Sequence, residues 1–270
     1  MRPIGIFDSG IGGLTVARAV AKALPNRSII YYGDTAHLPY GEKSAELIRR
    51  YATQITAELV RLGCGAIVVA CNSASSNALD AIREAAGPDI PVIDAVHPVI
   101  QAVTRRFDGG QVGVIGTRAT IDSQWYQRLL KAQGFDVVAK ATPLLASAIE
   151  EGFHGGQVSD ALIAAYFEGG EFNAVRALIL GCTHYPLVAD QIAAALPASV
   201  ELVDSAEAAA EALREVLAQT PSEQAAASGT SERTERFMVS DLTESFSLGA
   251  QRFYGAPVDL EEHTLPPTSR

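Results

Sequence analysis

A short apolar run that ends on a cysteine occurs twice in this chain. Leu178-Ile179-Leu180-Gly181-Cys182-Thr183-His184-Tyr185-Pro186 passes from aliphatic side chains to a thiol, a hydroxyl and an imidazole, and a proline stops the segment. Ala66-Ile67-Val68-Val69-Ala70-Cys71-Asn72-Ser73 does the same earlier, with β-branched residues before the thiol and short polar ones after it. Each reads as a buried parallel strand that delivers a cysteine at its carboxyl end, the edge where open parallel sheets place their ligands. The expected fold class is therefore α/β: two parallel-sheet units of similar build that face each other across a ligand cleft.

The rest of the chain fits that plan. Ile4-Gly5-Ile6-Phe7 is a strand, and Asp8-Ser9-Gly10-Ile11-Gly12-Gly13 is a glycine-rich turn leading into a helix over 14–24. Such a turn presents backbone N–H groups to an anion. It also reads as an ordinary strand-to-helix turn with Asp8 or Ser9 as a cap. It is not GxGxxG, which speaks against a dinucleotide. A strand over 28–32 runs into the polar and aromatic loop Gly33-Asp34-Thr35-Ala36-His37-Leu38-Pro39-Tyr40-Gly41, which is richer than a connector needs. A helix over 42–62 follows, and after Cys71 another over 77–86. Further strands are expected over 91–95, 111–116, 136–139, 177–180, 199–203 and 236–240. Helical pieces are expected to begin at His97-Pro98, to run through Trp125 to 133, and to cover 144–152, 159–167, 206–219 and 243–254. Residues 220–235 are poor in large apolar side chains and are expected to form a mobile surface loop; 257–270 is expected to be an extended tail. The expected division is a first unit of residues 1–96 plus 207–256 and a second of 97–206.

Charge and cysteine count narrow the chemistry. A formal net charge of −10 disfavours a nucleic-acid partner. The amino terminus has no signal-peptide pattern and no apolar run spans a bilayer, so a soluble cytoplasmic protein with no membrane partner is expected. Three cysteines, Cys64, Cys71 and Cys182, make no disulfide framework, and neither CxxC nor zinc spacing occurs, so no metal is expected. Cys64, between a helix and a strand, reads as a small buried hydrophobe.

Three chemistries compete for the other two thiols. A catalytic disulfide is disfavoured by the reducing compartment. A covalent nucleophile employs Cys182 with His184 as base and leaves Cys71 idle. Acid–base work employs both: one thiolate removes a proton, and the other thiol supplies one on the opposite face, as inversion at a carbon requires. The opening of a helix just after Cys71 is expected to lower that thiol's pKa. Asp8 could orient a thiol or a substrate ammonium, His184 could tune Cys182, and Glu150 could hold the imidazole. A capping or core histidine and a solvated helix acid are the plainer readings of the last two. Ser9, Asn72, Ser73 and Thr183, with loop N–H groups, offer donors to carboxylates.

Four segments together, 7–14, 33–41, 70–75 and 180–186, come in the order found in glutamate racemases, and the chain from about residue 4 to about 254 resembles that cofactor-independent Asp/Glu racemase family. The resemblance implies two pseudosymmetric α/β domains with the active site between them, interconversion of L- and D-glutamate without a cofactor, supply of D-glutamate to bacterial peptidoglycan, and commonly a homodimer. It implies Cys71 and Cys182 as the two acid/bases, with Asp8 and His184 as auxiliary groups and Glu150 supporting the histidine. Substrate-binding positions would be Asp8, Ser9, Tyr40, Gly41, Asn72, Ser73, Thr183 and His184, with Thr117 and Thr120 as additions. Ser73 stands where the family usually has threonine, which keeps the hydroxyl and loses a methyl. An aspartate or hydantoin racemase, a two-lobed amino-acid-binding protein and a thiol hydrolase using Cys182 alone remain the rival readings.

Overall fold

The computed structural model describes residues 1–219 and 233–265. In chain order the strands and α-helices are β1 Ile4–Asp8, α1 Leu14–Ala23, β2 Ile29–Gly33, α2 Ala45–Arg61, β3 Ala66–Val69, α3 Asn72–Asn77, α4 Leu79–Ala86, β4 Val92–Asp94 and α5 His97–Arg106. They continue with β5 Gly110–Gly116, α6 Arg118–Asp122, α7 Trp125–Ala132, β6 Phe135–Ala141, α8 Pro143–Glu150, α9 Gln157–Phe167, β7 Ala177–Gly181, α10 Ala189–Ala194, β8 Glu201–Asp204 and α11 Ser205–Gln219. The last are β9 Glu235–Val239, α12 Glu244–Tyr254 and β10 Leu260–Glu262.

All the strand pairings are parallel, in two sheets: β10-β9-β2-β1-β3-β4 and β6-β5-β7-β8. Helices cover both faces of a parallel sheet, which is why β1, β3 and β7 read as unbroken apolar runs and are buried at every residue. Register brings the carboxyl ends of the strands level. Asp8 lies opposite Gly33, Phe7 opposite Val69, and Gly116 opposite Gly181. The loops bearing Asp8, Asp34, Cys71, Thr117 and Cys182 therefore leave from equivalent edges of the two sheets.

Helix α2 shows how sequence sets the flanking layer. Ser44 caps it by accepting a hydrogen bond from Leu47 N, and Ile48, Ala52, Ile55 and Leu59 form a buried stripe at helical spacing. One apolar core joins the two sheets: Ile6 and Val68 of the first share it with Leu178 and Leu180 of the second, and α11 packs on both α1 and α5. Cys64 is buried and unpaired, with its Sγ packed over Gly5, as a structural thiol should be.

Four local expectations change. The helix after Cys71 starts at Asn72 rather than 77, with Cys71 itself at the cap position. Pro186 does not end the chain's helical course; it sits in a 3₁₀ turn, Tyr185–Val188, that leads into α10. Glu235, placed in the loop, begins β9, while 220–232 lie outside the described residues. The tail from 257 adds β10 alongside β9, although residues 266–270 also lie outside the described set.

A buried carboxylate, Glu58, holds that tail with partners nearer the surface. Glu58 accepts hydrogen bonds from Arg61 Nε and Nη2 at 2.7 and 2.6 Å and faces His263 Nε2 at 2.7 Å. These contacts, Arg61 above all, offset the cost of burial and hold the Glu58 carboxyl below its ordinary pKa. A depressed folded-state pKa contributes stability that is full above the unfolded value, near 4.3, and is lost as pH falls through the lower folded value. Melting temperature should therefore drop on acidification below about pH 4. Glu58→Gln should start about 1–3 kcal/mol less stable and show a shallower acid limb.

Candidate active site

The residues singled out in the two cysteine motifs meet at one narrow cavity of about 40 Å³. That is far below the roughly 300–1,000 Å³ of sites for drug-sized ligands. Both sheets contribute to its wall. From the first come Asp8, Ser9, Tyr40, Gly41, Cys71, Asn72 and Ser73; from the second come Thr117, Glu150, Cys182, Thr183 and His184. Thr120 alone of the expected positions is not on the wall. It is fully buried behind it, with its hydroxyl 3.4 Å from Ser73 Oγ and 3.1 Å from Thr117 Oγ1.

Cys71 follows β3 and is 4% exposed. A helix start favours thiolate, but α3 is only six residues long and the thiol is almost wholly enclosed. Desolvation wins: burial first, then the charge of Asp8, push the Cys71 thiol far above its ordinary range, against smaller opposing contributions from Ala74 and Ser9. The expectation of a lowered pKa is thus reversed by enclosure.

Asp8, at the end of β1, turns its carboxylate back onto its own loop, accepting from Gly13 N at 2.7 Å and from the Thr183 hydroxyl at 3.5 Å. Burial raises its pKa, with His184 and the N–H groups of Gly13 and Ser9 pulling the other way. The two halves are also stitched by Thr15, whose hydroxyl donates to Gly12 O and Thr183 O.

Cys182 lies one residue past β7, with its Sγ 3.7 Å from His184 Nδ1. Burial would pull the imidazole down, but the Cys182 contact and the negative charge of Glu150 more than offset it and hold His184 well above its ordinary pKa. The ring's other nitrogen is 3.7 Å from Glu150 Oε2, near enough for an ion pair and too long for a hydrogen bond. Among the described residues, His184 Nε2, Glu150 Oε1 and Asn72 Nδ2 have no hydrogen-bond partner. The raised His184 imidazole thus stands directly beside Cys182, while the Cys71 thiol is enclosed next to Asp8.

Tyr40 lines the cavity with its ring, but its hydroxyl is committed elsewhere: it donates to Asp34 Oδ2 at 2.5 Å. Asp34, buried, also accepts from His37 Nδ1 and Ser240 Oγ. Sequence reasoning marked this loop as unusual without assigning Asp34 its part, which is to lock Tyr40. Ser73 Oγ is 2.9 Å from Thr117 Oγ1, so the hydroxyl that serine shares with the family's usual threonine makes a contact across the cleft. Phe253, whose ring edge meets His184 at 5.1 Å, was also missed because it comes from a helix near the carboxyl terminus. No group of three or more His, Cys, Asp or Glu among the described residues is arranged to hold a metal ion.

The Asp/Glu/Hydantoin racemase model matches residues 12–213, and the chain belongs to that family. It is 44% identical over 219 residues to the glutamate racemase of Corynebacterium diphtheriae, covering 81% of this chain and 82% of the relative. It is 38% identical to that of Koribacter versatilis over 281 residues, 96% of each chain. The solved glutamate racemase of Francisella tularensis in complex with D-glutamate superposes with a TM-score of 0.88 at 34% identity, covering 98% of this chain and 97% of that one.

Proposed function

We propose that this chain interconverts L- and D-glutamate by passing the α-proton between two thiols, and so supplies D-glutamate for peptidoglycan synthesis. The observation that carries the reading is that Cys71 and Cys182, arriving from different sheets, line one small cavity. The glutamate racemases to which the chain is similar support the choice of substrate.

From L-glutamate, Cys182 thiolate takes the α-proton and becomes a thiol, leaving the electron pair on the α-carbon and its carboxylate. Cys71 then gives its proton to the opposite face and becomes the thiolate. The reverse reaction starts at Cys71 on D-glutamate. Burial of Cys71 keeps its proton in place for delivery, and the His184 imidazole lies 3.7 Å from Cys182 Sγ, placed to exchange a proton with it. Asp8 faces the substrate ammonium, and Glu150 keeps His184 charged. Ser9, the Tyr40–Gly41 edge, Asn72, Ser73, Thr117 and Thr183 hold the two carboxylates. Thr120 acts through Ser73 and Thr117. No cofactor takes part. The two units are residues 1–96 with 207–256, and 97–206. The enzyme works in the cytoplasm as a homodimer without nucleic-acid or membrane partners; no helix among the described residues is long and apolar enough to cross a membrane.

The test is racemisation of a single enantiomer in deuterated water. Initial product should carry one deuteron at the α-carbon while remaining substrate carries none, and L-aspartate run in parallel should be inert. Turnover of aspartate alone, or product that keeps the original proton throughout, would overturn the reading.

A further inference from the structure

Tyr126 belongs to no sequence motif, yet it is a fully buried tyrosine beneath the cavity. It enters from α7, among the helices of the second sheet, and its hydroxyl donates to Asn72 Oδ1 at 2.7 Å, with Ala95 O at 3.4 Å. Asn72 belongs to the first sheet's side of the cleft and follows Cys71 directly. The Tyr126 ring also faces Gly181, the residue before Cys182: its Cε2 lies 3.6 Å from where a Cβ on that glycine would sit. One phenol therefore bonds the residue after Cys71 and lies beside the residue before Cys182.

The amide it holds is half satisfied. Asn72 is 3% exposed and lines the cavity, and its Nδ2 has no hydrogen-bond partner among the described residues. A buried unpaired donor is costly, so one at a cavity wall is expected where a ligand supplies the acceptor. The two ends of a carboxamide have the same shape and opposite hydrogen-bonding sense. Turned one way Asn72 offers two N–H donors to a carboxylate; turned the other way it presents an oxygen that repels it. Burial, with the nearby charges of Asp94, Asp204 and Cys182, raises the Tyr126 pKa far above its ordinary value, so the hydroxyl remains a proton donor throughout the working range.

We infer that Tyr126 is a positioning residue for substrate recognition: its O–H occupies Asn72 Oδ1 and thereby fixes Nδ2 as the donor to a substrate carboxylate. The inference rests on the glutamate reading and adds a residue to it. Because Tyr126 and Asn72 belong to different halves of the cleft, the donor is set only when the halves are together.

The experiment is a double-mutant cycle with Tyr126→Phe, Asn72→Ala and both together, read by steady-state kinetics, calorimetric D-glutamate binding and melting temperature. Tyr126→Phe should raise KM for glutamate about tenfold, or about 1.4 kcal/mol of binding, with kcat within about threefold, because a contact made in both ground and transition states shows in KM. On the Asn72→Ala background the same change should alter KM by less than about twofold, since coupled residues are non-additive. A purely structural tyrosine would lower kcat in step with melting temperature and act equally on both backgrounds, and either result overturns the inference. A wild-type chain that binds glutamate without racemising it breaks the function reading while the binding cycle still decides the Tyr126–Asn72 coupling. A wild-type chain that does neither overturns both.

Discussion

Cys71→Ser and Cys182→Ser each lower glutamate racemisation by about a thousandfold or more, with the fold intact. A positioned acid or base contributes about 10²–10⁴-fold, and here each turnover needs both. Serine preserves shape and hydrogen bonding, but its hydroxyl does not ionise in the range where a cysteine, near 8.5 when free, does. Neither side chain is more than 6% exposed, and an oxygen for sulfur exchange removes little packing volume, so melting temperature should move by only a few degrees. The informative readout is asymmetric. With Cys71 gone, Cys182 still reaches its own face and should wash deuterium into L-glutamate without inverting it; with Cys182 gone, the exchange should pass to D-glutamate. Retention of racemisation by Cys71→Ser within tenfold of wild type would remove the two-thiol mechanism and restore the single-nucleophile reading of Cys182 with His184.

The cysteines were legible in the sequence because two strong local signals coincide at each. An unbroken β-branched or aliphatic run must be buried, and the polar residue after it must lie at the strand's carboxyl edge; this placed Cys71 after β3 and Cys182 after β7. Asp8 and the loop containing Tyr40 followed from the same rule at β1 and β2. Three kinds of information were not available that way. Contacts between distant helices leave no periodic trace, so nothing in the sequence singled out Tyr126 or Phe253. Electrostatic outcomes depend on enclosure: the helix start predicted a lowered Cys71 pKa, and near-complete burial reversed it. Orientation is also hidden, as with Tyr40, whose hydroxyl turns to Asp34, and Thr120, which stands behind the wall instead of on it. The short strand β10 was missed because three residues carry too little pattern, and its place depends on pairing with β9 and on the Glu58–His263 contact.

Gly12→Ala should cripple the enzyme although it adds a single methyl to a turn. A Cβ at Gly12 would lie 2.4 Å from His184 Cε1, 2.6 Å from His184 Nδ1 and 2.6 Å from Thr183 Oγ1. Atoms do not share that space, so the imidazole or the turn must move. The imidazole has little freedom, with Cys182 Sγ at 3.7 Å, Glu150 at 3.7 Å on the far nitrogen and the Phe253 ring edge-on at 5.1 Å. The turn is no freer, since Gly13 N is tied to Asp8 and Gly12 O to Thr15. Overpacking of this kind costs about 1–3 kcal/mol of stability. A displacement of about 1 Å in a group that must face the reacting atoms costs about a hundredfold in rate. The expected result is a kcat/KM reduced about a hundredfold, with deuterium exchange into L-glutamate harmed more than exchange into D-glutamate, because His184 serves Cys182. Gly155→Ala, where an added Cβ meets nothing within 4 Å, is the matched control and should keep wild-type rates. Wild-type kinetics for Gly12→Ala would mean that the imidazole can leave Cys182 without loss, and His184 would then have no part in making that thiol a base.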